Sequence, residues 1–125
     1  MRKGTQVKLK KSHRLHIPRV YRHTTPEERS DWYERLHEEC RAGRNVGYDS
    51  AGEPKLAPMC AAIEATDEDT FTIVRARCAP IIGFHKQPKS ALIRNNRTGE
   101  EGYIRRIHLE TCKLQNQTVL YKHNQ

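Results

Sequence analysis

Long apolar runs are missing from this 125-residue chain, and only 35% of it is apolar. None of its apolar stretches approaches the roughly 20 residues that a helix needs to cross a bilayer, so no membrane association is expected. The basic start, MRKGTQVKLKK, is followed by no apolar stretch of the secretory kind. A cytoplasmic, intracellular protein is therefore the expectation. A CxxC pair is also missing: Cys40, Cys60, Cys78 and Cys112 are widely spaced and read as reduced thiols. His37 and Cys40 stand at i and i+3 on a helical stretch and could share a metal. Zinc sites usually pair their ligands twice at short spacing, and no second pair exists, so no metal and no cofactor are expected. A phosphate-binding glycine loop is missing too, because NVGYDSAGEP has neither the lysine nor the following helix. No cysteine–histidine pair has an orienting third residue, and the expectation is a protein that is not an enzyme. Aromatic residues make up 6% of the chain, with a single tryptophan.

What the chain has in excess is positive charge. It holds 23 Lys and Arg against 15 Asp and Glu, a net charge of +8. Such a balance speaks of partners rather than of fold: nucleic acid, an acidic protein face or an anionic surface. The charge is also uneven. Residues 1–22 hold eight Lys/Arg and no acid, residues 26–53 eight acids against four Arg, and residues 71–98 six Lys/Arg and again no acid.

The length suits one domain, 1–125. TQVKLK alternates, with Val7 and Leu9 on one side and Gln6, Lys8 and Lys10 on the other, as a first strand with one wet face does. HRLHIPRVYRH carries Pro18, which argues against a central strand, so an extended loop is expected there. Thr25-Pro26-Glu27-Glu28 fits a capping box with proline at the first helical position. Arg41, Arg44 and Gly43 suit the other end. Trp32, Tyr33, Leu36 and Cys40 fall on one stripe, and the spacing predicts an amphipathic α-helix over about residues 26–42 that docks on something. After a loop rich in Gly and Pro the pattern turns to strands: MCAAIEA, TFTIVRARC, ALIRN and EEGYI, with turns at TDED and NRTG. The Asp67-Glu68-Asp69 cluster reads as turn chemistry. The segment 113–125 reads as a polar tail in which TVLY could add a short strand.

This order of pieces resembles the Src-homology-three-like small β-barrel. RTGEEGYIRRIHLE is similar to that family's last hairpin: Thr-Gly, two variable residues, Gly-Tyr-Ile, a one-turn hook and a final apolar residue. IEATDEDTFTIVRA resembles its diverging turn and second long strand, with ALIRN third and TQVKLK first. The resemblance implies a mainly β fold, a five-stranded barrel with strands at about 5–10 and 59–110. Its first loop would be enlarged by residues 11–58, which include the helix. It implies further that Ile104 and Leu109 enter the core, that Gly102 permits close strand packing, and that Arg105 to His108 face the groove where family members often bind proline-rich peptides. That activity is not expected here, because polyproline recognition needs aromatic walls. The family's groove tryptophan corresponds to Ala91, and its hook proline, asparagine and tyrosine to Arg105, Ile107 and His108.

Three segments border that groove, and all three are basic. The first strand and loop carry Lys8, Lys10, Lys11, Arg14 and Arg19. The segment after the second long strand carries His85, Lys86 and Lys89, with Arg75 and Arg77 leading in. The hook carries Arg105 and Arg106. These residues are the expected contacts for an anionic partner, with Tyr21, Phe84 and Tyr103 available to stack on bases. With so few aromatics, backbone binding is expected over sequence-specific reading of a single strand. The partner is DNA or RNA, or alternatively an acidic protein surface. The two differ in that a protein partner needs a central apolar anchor.

Overall fold

The computed structural model describes residues 1–44, 46–81 and 88–112. The protein is mainly β. Among the described residues lie seven strands: β1 (Gln6–Leu9), β2 (Tyr21–His23), β3 (Cys60–Ala62), β4 (Phe71–Cys78), β5 (Ser90–Asn95), β6 (Glu101–Arg105) and β7 (Leu109–Thr111). A helix, α1 (Pro26–Arg41), follows β2, and a one-turn 3-10 helix (Arg106–His108) joins β6 to β7. The strands form one open sheet in the order β3-β2-β6-β5-β4-β1-β7. The expected closed five-stranded barrel is thus corrected to an open sheet of seven. One of the added strands, β2, lies in the stretch expected to be loop. Pro18 precedes it, so the proline excludes only its own position from the ladder and not the residues after it.

The chain divides into two compact units, residues 1–22 with 62–125, and residues 23–61. In the first unit, alternation places Val7, Phe71, Ile73, Ile93, Ile104 and Leu109 together in the core. Their opposite neighbours face outward: Gln6 opposite Thr72, Lys8 opposite Glu110, Arg94 opposite Glu101. The core closes at one end on a polar cluster. Asp69, 6% exposed, accepts from Arg97 Nε at 2.8 Å and Nη2 at 3.1 Å, and from Asn95 Nδ2 at 2.9 Å. Asn95 is fully buried, and its side-chain Oδ1 accepts from the Arg97 N–H at 2.8 Å. The Arg97 guanidinium holds the Asp69 carboxyl well below the usual carboxylate range, against the opposing effect of burial. This cluster ties the turn before β4 to the turn after β5, where Gly99 adopts φ +78°.

The second unit is built around α1. Thr25 caps it: its hydroxyl accepts from the Glu28 N–H at 3.1 Å, and the Glu28 carboxylate accepts from the Thr25 N–H at 3.0 Å. Gly43, just past the other end, takes φ +84°. Tyr33 accepts from the Ala57 N–H at 3.1 Å and stands edge-on to Trp32, with ring centroids 5.1 Å apart. Of the apolar stripe, Trp32 and Leu36 are half-buried and Tyr33 is 37% exposed, and no residue of α1 is fully buried. Among the described residues no helix is long and apolar enough to cross a membrane.

Candidate functional site

Gly102 sets the site's geometry. A Cβ there would lie 2.7 Å from Val20 Cγ1 and 2.9 Å from the Tyr21 carbonyl oxygen. Only glycine lets β2 sit this close to β6, and the close seat brings Tyr21 directly opposite Tyr103. Directly opposed residues share a face of the sheet. Tyr103 is in turn opposite Leu92 on β5, and Leu92 is opposite Arg75 on β4. An irregularity between Ile73 and Arg75 makes that last pairing possible. It inserts one residue, so Arg75 turns away from the core face to which simple alternation from Ile73 would have sent it.

Arg106 shapes one border of the site from behind. Its Nη1 donates to the carbonyls of Pro88 at 2.6 Å, Ser90 at 3.1 Å and Ala76 at 3.2 Å, and its N–H donates to the Lys89 carbonyl at 3.0 Å. Expected as a surface contact, Arg106 is instead half-buried, and its guanidinium is committed to the backbone on either side of the segment between β4 and β5. By this clamp Lys89 and Ser90 are fixed beside the 3-10 turn.

Between these elements opens a cleft of about 440 Å³. Its apolar walls come from Pro18, Tyr21, Pro80, Ile81 and Tyr103. Arg19, Lys89 and Arg105 bring the positive charge, His108 adds an imidazole ring, and among the described residues no carboxylate lines it. Arg19, Lys89 and Arg105 are exposed, so their charges reach solvent at the mouth. Ser90 also lines the cleft, whereas Ala91, expected at the groove's tryptophan position, is fully buried in the core. The apolar walls can hold a planar or aliphatic group while the rim neutralises negative charge beside it.

The structure gathers five of the expected contacts at this cleft: Arg19, Lys89, Arg105, Tyr21 and Tyr103. Others lie elsewhere on the first unit. Lys8 is opposite Glu110, Lys10 and Arg14 are exposed after β1, and Arg77 is exposed on β4. Lys11 pairs with Asp67 at 2.9 Å and lowers that carboxyl's pKa, but both side chains are about half exposed. Such a pair stabilises little and leaves Lys11 easily redirected. Phe84, His85 and Lys86 lie outside the described residues. Pro18, Pro80 and Ile81 are the wall residues that sequence reasoning missed. Pro18 was visible only as a strand breaker, and Pro80-Ile81 only as part of a basic loop. Among the described residues no three His, Cys, Asp or Glu side chains converge as metal ligands.

Fold and cleft together define a class: a mainly β protein that presents a concave, apolar-walled, cation-rimmed site on its sheet. Comparison with protein-family models, with curated proteins and with solved structures finds no match.

Proposed function

We propose that the protein is a non-catalytic binding module for nucleic acid, and that the cleft is its contact site. The observation that carries this reading is the composition of the cleft. Tyr21 and Tyr103 stand side by side as walls, with Arg19, Lys89 and Arg105 around them and no carboxylate among the described residues. Aromatic faces beside cations are the chemistry that holds bases next to phosphates. We read the first unit as a relative of the Src-homology-three-like barrel, enlarged in its first loop. In support, the strands at 6–9, 71–78, 90–95, 101–105 and 109–111 and the one-turn hook follow the order that resemblance implies. Work in the cytoplasm fits this role.

Fluorescence anisotropy with duplex DNA, single-stranded DNA and RNA over a salt series tests the reading. Binding is expected at about 50 mM salt and should fall steeply as salt rises. Absence of binding to all three at that salt overturns it.

A second reading is favoured by the apolar walls, which could equally anchor an acidic protein partner. Retention of one protein partner from nuclease-treated lysate, lost with Arg105→Ala, would support it.

A further inference from the structure

Within the nucleic-acid reading, on which this inference rests, we propose that the ligand is a single strand with an unpaired base stacked in the Tyr21–Tyr103 cleft. The strand would run across the sheet toward Arg75. The cross-strand register carries the argument. Tyr21, Tyr103, Leu92 and Arg75 form one row on one face, across β2, β6, β5 and β4. Neighbouring strands lie about 4.8 Å apart, so the row spans roughly 14 Å. Four-stranded sheets with aromatics on one face stack two or three unpaired bases over a comparable platform.

The shape of the cleft selects the single strand. A duplex keeps its bases paired and stacked, and offers the protein a convex ridge of phosphates. Such a ridge could meet Arg19, Lys89 and Arg105, but it would leave the apolar walls of Pro18, Pro80 and Ile81 unfilled. An unpaired base presents a flat apolar face that fills them. Every base has such a face, so the site tolerates sequence. The chain's thin aromatic supply is enough for this purpose because two of its five tyrosines stand opposite one another. Arg75 supplies a cation at the far end of the row, and it faces that way because of the irregularity in β4.

The test compares three labelled probes of equal length at one salt concentration: oligothymidine, the same strand annealed to oligoadenosine, and a base-free phosphodiester. The single strand is expected to bind at least about tenfold more tightly than the other two. Tyr21→Ala and Tyr103→Ala should each remove most of that preference. Tyr21→Phe and Tyr103→Phe, which keep the ring and the fold, should retain it. Equal affinity for all three probes overturns the inference while the nucleic-acid reading stands. If no probe binds, both fall, and binding of oligoglutamate alone would then favour the acidic protein partner. A preference for the single strand that survives both Tyr→Ala changes also overturns the inference, because the base would then sit elsewhere.

Discussion

Arg106 and Arg105 are adjacent arginines with different work, and the difference can be measured. Arg105 is exposed at the mouth of the cleft, whereas Arg106 donates to three carbonyls behind it. Arg106→Ala should therefore lower stability by about 2 kcal/mol, since hydrogen bonds from a charged donor are lost and carbonyls are left unmatched. Ligand affinity should fall with it while the salt dependence of binding stays the same, as the charge removed touches no phosphate. Arg106→Lys, which restores three donors, should recover part of both. Asp69 makes a second prediction at this scale. Its pKa is lowered in the fold by Arg97 and Asn95. A lowered carboxyl contributes stability that is present above its unfolded value of about 3.9 and is lost as pH falls through the folded value. Thermal melts below about pH 4 should show a falling Tm, and Asp69→Asn should remove part of that acid dependence while lowering Tm at pH 7. Gly102→Ala is the third: the added methyl meets Val20 and the Tyr21 carbonyl, so β2 must shift. A loss of about 1–3 kcal/mol is expected from such overpacking, with affinity falling through displacement of Tyr21.

At the scale of elements, what could be read from the sequence depended on how local its cause was. The capping box at Thr25 and Glu28 is complete within four residues, and the helix starts where that motif places it. Thr25→Ala should cost about 1 kcal/mol and be visible as a lower Tm by circular dichroism. Gly99 and the Gly-Tyr-Ile strand were equally legible, because a turn and an alternating pattern are short-range signals. β2 was not: only three residues long, it is a strand because Gly102, some eighty residues on, leaves room for it. The outward turn of Arg75 was hidden for a similar reason, since it comes from a register irregularity between β4 and β5. The charge of the cleft was legible in Arg19, Lys89 and Arg105. Its apolar walls were not, because Pro18 and Pro80 come to line one cleft only once the strands are paired. The apolar stripe of α1 was legible as a pattern, but what it packs on was not, and Tyr33 accepts a hydrogen bond from the Ala57 N–H in the long loop after the helix.

For the whole molecule, the charge divides along the same line as the fold. Residues 23–61 hold eight acids and five Lys/Arg, and the rest of the chain holds eighteen Lys/Arg against seven acids. The excess that makes the protein basic thus belongs to the unit that carries the cleft. Binding should accordingly weaken with salt, and each phosphate contact removed should lower the slope of log K against log salt by roughly 0.7 for a single strand. Arg105→Ala and Lys89→Ala are expected to act in this way, and Arg77→Ala, on β4 away from the cleft lining, is expected to change the slope little. The central claim is that the cleft is where the ligand sits. Its most direct test is a titration of isotopically labelled protein with a short oligothymidine, followed by amide chemical shifts. The account predicts the largest shifts at Arg19, Tyr21, Lys89, Tyr103 and Arg105, with smaller ones reaching Leu92 and Arg75. Shifts centred on Trp32 and the helix, or none at millimolar oligonucleotide, would contradict it.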